Sequence, residues 1–62
     1  MCLSTVYQNE KVESAILMKN VMRIDCTETQ VTLTDLMDRT ITVDGKLESA
    51  NLVDGFVIIK SN

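Results

Sequence analysis

The chain has no histidine, which removes Ser-His-Asp and Cys-His catalysis along with every imidazole metal ligand. It has no proline and only two glycines, Gly45 and Gly55, so no glycine-rich phosphate loop can form. Two cysteines, Cys2 and Cys26, are too few for a disulfide framework and lack the paired spacing of a zinc site. Tyr7 and Phe56 are the only aromatics. The six basic residues (Lys11, Lys19, Arg23, Arg39, Lys46 and Lys60) are scattered, and the net charge is −3. A nucleic-acid binder would show a basic stripe and stacking aromatics, and neither is visible. No apolar run approaches the ~20 residues that cross a bilayer, and no charged-then-apolar leader opens the chain. The expectation is a cytoplasmic protein with both thiols reduced, and not an enzyme.

What is present is aliphatic. Apolar residues make up 45% of 62 positions. A chain of this length reads as one domain, residues 1–62, that buries only about 60% of its unfolded surface. The aliphatic content exceeds what one small core can take, so a homodimer is expected, with part of the excess between subunits.

Strand patterning dominates the chain. Cys2 to Gln8 reads as a strand with Cys2, Ser4, Val6 and Gln8 on one face. Asn9-Glu10-Lys11 reads as a turn. The segment from Val12 to Lys19 could be helical, but it is too short for a convincing amphipathic helix and is taken as a strand entering a bend near Asn20. Val21 to Thr27 alternates, with Met22, Ile24 and Cys26 on one face, and Glu28-Thr29 turns the chain. Val31 and Leu33 point inward from Gln30 to Asp35, and Leu36-Met37-Asp38 connects to Ile41 and Val43. Asp44-Gly45 and Asp54-Gly55 each sit between β-type residues and predict two-residue type I′ hairpins. Between them Leu47 and Leu52 fall on opposite faces, which predicts a bulge or bend near Ser49-Ala50. Phe56 to Lys60 is apolar on both faces. The fold class is all-β: a small antiparallel barrel, or two packed sheets, of about six short strands.

The chemistry concentrates at the start. Initiator methionine is usually removed ahead of a small residue, and Cys2 would then carry a free α-amine and a thiol able to close a five-membered chelate ring. The two groups have ordinary pKa values near ~8 and ~8.5, so a metal ion can displace both protons near neutrality. The competing reading is plainer, because a lone cysteine near a strand start is more often a small buried hydrophobe. Cys26 has the same plain reading, as a continuation of the Met22/Ile24 apolar face. Met18, Met22 and Met37 read as core filling before soft ligands.

The opening Met1-Cys2-Leu3-Ser4-Thr5-Val6-Tyr7 resembles the start of the CooT family of small nickel-binding proteins. The likeness continues through Ile16-Leu17-Met18-Lys19-Asn20-Val21 and Arg23-Ile24. It returns in Asp44-Gly45-Lys46-Leu47, Ala50-Asn51-Leu52 and Val57-Ile58-Ile59, and so covers nearly the whole chain. The resemblance implies a homodimer that binds Ni(II) through Cys2 and supports maturation of nickel-dependent carbon monoxide dehydrogenase. Members of this group have also been labelled RNA-binding proteins, which keeps an RNA-binding small β-barrel as one alternative. A structural dimeric adaptor, in which Cys2 only packs, is the other. No role for Cys26 follows from the resemblance.

Overall fold

The computed structural model describes residues 3–62. Five strands follow in order: β1 (Ser4–Gln8), β2 (Ile16–Cys26), β3 (Gln30–Asp35), β4 (Thr40–Asn51) and β5 (Phe56–Ser61), with a single 3-10 turn at Glu13–Ala15 before β2. Each strand pairs with the next in antiparallel fashion, and β1 closes the ring by running parallel to β5. The all-β expectation holds, as a closed barrel of five strands rather than about six.

The missing strand traces to Asp44-Gly45. This pair does not turn the chain but lies inside β4, which runs unbroken from Thr40 to Asn51. Residues Thr40 to Asp44 pair with β3, and Gly45 to Asn51 pair with β5. Gly45 therefore marks the corner at which one strand passes from one neighbour to the other. Its N–H donates to Thr29 C=O at 2.9 Å, and a Cβ built there would stand 2.5 Å from the Lys60 carbonyl oxygen. Glycine is required by the close approach of a second backbone, a need that reads in sequence just as a hairpin glycine does.

Asp54-Gly55 does belong to a hairpin, but not to a two-residue type I′ turn. Asn51 pairs with Phe56 around a loop of Leu52, Val53, Asp54 and Gly55. Of the pair only Gly55 has positive φ (79°), whereas a type I′ turn needs it at both positions. Asn51 drives the turn instead: its Oδ1 accepts from the N–H groups of Val53 and Asp54, and its C=O accepts from Gly55 N–H at 2.8 Å. A Cβ on Gly55 would meet only the Leu3 carbonyl, at an ordinary 3.5 Å. Gly55→Val is expected to cost about 1–2 kcal/mol from the left-handed backbone, because β-branched residues tolerate it poorly. Gly55→Asn should recover most of that in thermal melts, and equal melting temperatures for wild type and Gly55→Val would refute the assignment.

Of the remaining turns, the 3-10 turn at Glu13–Ala15 falls inside the segment taken as a strand from Val12, so that β2 begins only at Ile16, and the others sit where the sequence places them. Thr27 Oγ1 accepts from Gln30 N–H at 3.0 Å, closing the Glu28-Thr29 turn. β2 carries Asn20 at φ 57°, so the bend expected there is a left-handed residue inside a long strand. The register slips between Leu47 and Ser49, which is the bulge predicted near Ser49-Ala50. Asn9, also left-handed, receives Ser61 N–H on its Oδ1 and donates its own N–H to Ile59 C=O, fastening the β1–β5 seam.

Val6, Val21, Val31, Leu33, Val57 and Ile59 fill the core, with Leu17, Met18, Ile24, Ile41 and Val43 packed around them. On β3 Val31 and Leu33 are fully buried as expected, but the alternation stops there, because Thr34 and Asp35 are buried as well; Val6 is buried on β1. Each fully buried aliphatic contributes roughly 1.5–3 kcal/mol, which is a large share of the few kcal/mol available to a domain of this size.

Candidate functional site

Cys2, the one metal ligand expected from sequence, lies outside the described residues. The structure does define the ground from which that end of the chain departs. Ser4 is buried and pairs with Val21, and Thr5 N–H donates to Gly55 C=O at 3.0 Å. The carbonyl of Leu3 lies against Gly55. Strand β1 is thus pinned at its first residues, between the β4–β5 hairpin on one side and β2 on the other.

Beside this anchor runs an apolar groove of about 310 Å³. It is lined by Val21, Met22, Ile24, Leu47, Ala50 and Leu52, together with Ser4, Arg23, Cys26 and Val57. Leu52 is 69% exposed, and Val53 beside it is 95% exposed. Met22 and Leu47 are each about half exposed, and Leu52 more so. Three sequence expectations are corrected here, those for Met22, Cys26 and Met37. Met22 is exposed, and Cys26 is an exposed free thiol, not core filling. The alternation of Met22, Ile24 and Cys26 is real, since all three line the groove, but only Ile24 also packs on the core. Period-two patterning identifies a common face without saying whether that face is inward. Met37 is likewise exposed, at the tip of the β3–β4 turn, and only Met18 of the three fills core.

Among the described residues no group of three or more cysteine or acidic side chains could hold a metal ion. Cys26 shares a shallow depression with Thr27, Glu28, Lys46 and Asn62, and two potential ligands among them do not make a site.

Asp35, which sequence reading passed over as an ordinary acidic residue, is a buried carboxylate with an organised set of donors. It lies at the end of β3. Its Oδ1 accepts from the N–H groups of Met37 and Arg39, and its Oδ2 from Arg39 Nε, each at 2.9 Å. Asp38 at φ 65° completes a three-residue hairpin loop. The Arg39 backbone N–H lowers the Asp35 pKa below its ordinary 3.8, helped by the Arg39 guanidinium and the Met37 N–H and opposed by burial. A carboxyl whose folded pKa is depressed adds stability above its unfolded pKa and loses it as pH falls through the folded value. Stability should therefore fall on acidification below about pH 4, and Asp35→Asn should weaken the fold at neutral pH and flatten that dependence. Parallel acid slopes for the two proteins in denaturant melts would overturn the assignment. The latch fixes the turn that displays Leu36 and Met37 and has no catalytic geometry around it.

Both aromatics are engaged within the fold. Tyr7 and Phe56 meet edge to face at 6.4 Å, and Lys11 Nζ lies 4.2 Å from the Phe56 ring centre.

A five-stranded closed barrel with an apolar groove and no catalytic constellation among its described residues has the form of a small binding or accessory protein. Comparison with known proteins narrows the class. Residues 1–60 match the family model of CooT, the CO dehydrogenase accessory protein, and the chain belongs to that family. The family is an accessory to carbon monoxide dehydrogenase and is not itself an enzyme. No curated protein matches the sequence. A crystal structure of a protein proposed to be the CooT of Carboxydothermus hydrogenoformans superposes with a TM-score of 0.84, covering 98% of each chain at 18% identity. At that identity the likeness speaks for the fold. No helix of the described residues is long and apolar enough to cross a membrane.

Proposed function

We propose that this chain is a dimeric, cytoplasmic nickel-binding accessory protein that uses Cys2 to ligate Ni(II) in support of carbon monoxide dehydrogenase maturation. The observation that carries the reading is family membership extending from residue 1 through residue 60, so that Met1-Cys2 lies inside the matched region. The dearth of donor clusters among residues 3–62 agrees with it, since a metal would then depend on the chain's first residues. Cys2 offers a thiolate together with a nitrogen, either the α-amine if Met1 is removed or a backbone amide if it is not. Two copies supply two such pairs, enough for a four-coordinate, square-planar Ni(II) without histidine. Cu(II) should compete for the same donors in vitro, as the Irving–Williams order requires.

The test is a Ni(II) titration of tag-free protein with its native N-terminus, followed by thiolate-to-metal charge-transfer absorption. Saturation at one nickel per two chains is the expected result. Absence of any charge-transfer band at neutral pH would overturn the reading.

A further inference from the structure

We infer that Asp54-Gly55 is a site of spontaneous backbone modification, where aspartate converts to isoaspartate through a cyclic imide, and that Asn51 sets the rate. The reaction needs a side-chain carboxyl carbon within reach of the backbone nitrogen that follows it. Aspartate side chains readily approach neighbouring backbone groups, and a following glycine adds no Cβ to block the approach. The chain holds two such pairs, Asp44-Gly45 and Asp54-Gly55. The fold treats them differently.

Asp44-Gly45 is locked. Asp44 pairs with Gln30 of β3 and Gly45 with Ser61 of β5, so neighbouring strands hold the peptide on two sides. Gly45 N–H donates to Thr29 C=O at 2.9 Å, and Asp44 Oδ1 accepts from Gln30 Nε2 at 3.0 Å. Gly45 is also buried, so closing a ring there would open the corner of β4. Asp54-Gly55 lies outside any strand, in the loop between β4 and β5, and Asp54 is exposed. Its two reacting groups are restrained by a single residue. Asn51 Nδ2 donates to Asp54 Oδ2 at 3.0 Å, and Asn51 C=O accepts from Gly55 N–H at 2.8 Å. Asn51 Oδ1 also accepts from the N–H groups of Val53 and Asp54. Opening this one loop therefore frees nucleophile and electrophile together, and such openings are the least costly in a fold.

In the first step the Gly55 nitrogen attacks the Asp54 carboxyl carbon. A C–N bond forms, and one carboxyl oxygen leaves as water with the amide proton and a proton from solvent. Water then opens the five-membered imide at either carbonyl. Attack at the former side-chain carbonyl restores aspartate; attack at the main-chain carbonyl leaves the chain running through the side chain. Water is the only co-reactant, and the net change is an isomerisation. The isoaspartyl link lengthens the backbone before Gly55 by one methylene, about 1.5 Å. Gly55 C=O is the acceptor for Thr5 N–H at 3.0 Å, so the change falls on the anchor of β1. The modification uses no metal and stands apart from the proposed nickel site.

Ageing the full chain at neutral pH and body temperature, followed by tryptic mapping, tests this. Cleavage after Arg39, Lys46 and Lys60 places the two pairs on separate peptides, 40–46 and 47–60. Isoaspartate, read by enzymatic methylation of its free α-carboxylate, is expected in peptide 47–60 at least tenfold faster than in 40–46. It should arise without change of mass, which separates it from deamidation of Asn51. Asp54→Glu should abolish the signal, and Asn51→Ala should accelerate it severalfold. In the aged protein the Thr5 amide should exchange with solvent faster than in fresh protein. Comparable rates in the two peptides, or a signal that survives Asp54→Glu, would overturn the site. An Asn51→Ala variant no faster than wild type would overturn the role given to Asn51.

Discussion

Gly45→Ala is expected to lower stability by about 3 kcal/mol, near the upper end of what an overpacked interior site costs. For a domain of this size that corresponds to a fall in Tm of roughly 12–24 °C. The added methyl carbon would stand 2.5 Å from the Lys60 carbonyl oxygen and 3.2 Å from Ile59 Cγ2. Ile59 is fully buried, and Lys60 is held by its pairing with Lys46, so neither can retreat without moving β5 away from β4. The same shift would loosen the Gly45 N–H bond to Thr29 that ties β4 to the β2–β3 turn. Gly55→Ala is the internal control: its Cβ meets nothing closer than 3.5 Å, and its cost should be confined to the ~1–2 kcal/mol of a left-handed alanine. Thermal melts by circular dichroism decide the matter. A smaller loss at Gly45 than at Gly55 would mean that the β4–β5 approach is looser than described.

Cys2→Ala is expected to abolish high-affinity nickel binding while leaving the melting temperature and sedimentation of the apoprotein close to wild type. The described part of β1 is secured by Ser4 against Val21, by Thr5 against Gly55 and by Val6 in the core, and none of these contacts uses the Cys2 side chain. Cys26→Ala should keep nickel binding. It should also be nearly neutral for stability, because the Cys26 thiol is exposed and its removal leaves no cavity. Affinity should fall as pH drops below neutrality, since protons compete for the thiolate and for any amine ligand. An unprocessed extension ahead of Cys2 should alter the charge-transfer spectrum if the α-amine is a donor. Loss of nickel binding in Cys26→Ala with retention in Cys2→Ala would sink the proposed metal site.

Several elements could be read from residue patterns because their causes are local. The β3 strand at Gln30–Asp35, the Glu28-Thr29 turn and the bend at Asn20 each follow from neighbours within a few positions. The slip between Leu47 and Ser49 was legible for the same reason, since two apolar residues out of phase in one strand require an extra residue between them. Asp35 was not legible. Nothing around an aspartate near a turn distinguishes a solvated side chain from one that receives two backbone N–H groups and a guanidinium.

The sequence by itself determined the all-β class, the inward face of β3, the poverty of catalytic groups and, through the Met1-Cys2 opening, where a metal would be sought. Those are matters of composition and short-range periodicity, and they survive any arrangement of the strands. Tertiary structure alone decided that Asp44-Gly45 lies within a continuous strand, because the reason for that glycine is the Lys60 backbone fifteen residues away. It also decided that Met22 and Cys26 line an open groove while Ile24 reaches the core. Alternation sorts side chains into two faces, but which face is covered depends on where β1 stops along β2 and where β4 changes partners. Those are facts about the closed ring of strands, and no single stretch of the chain contains them.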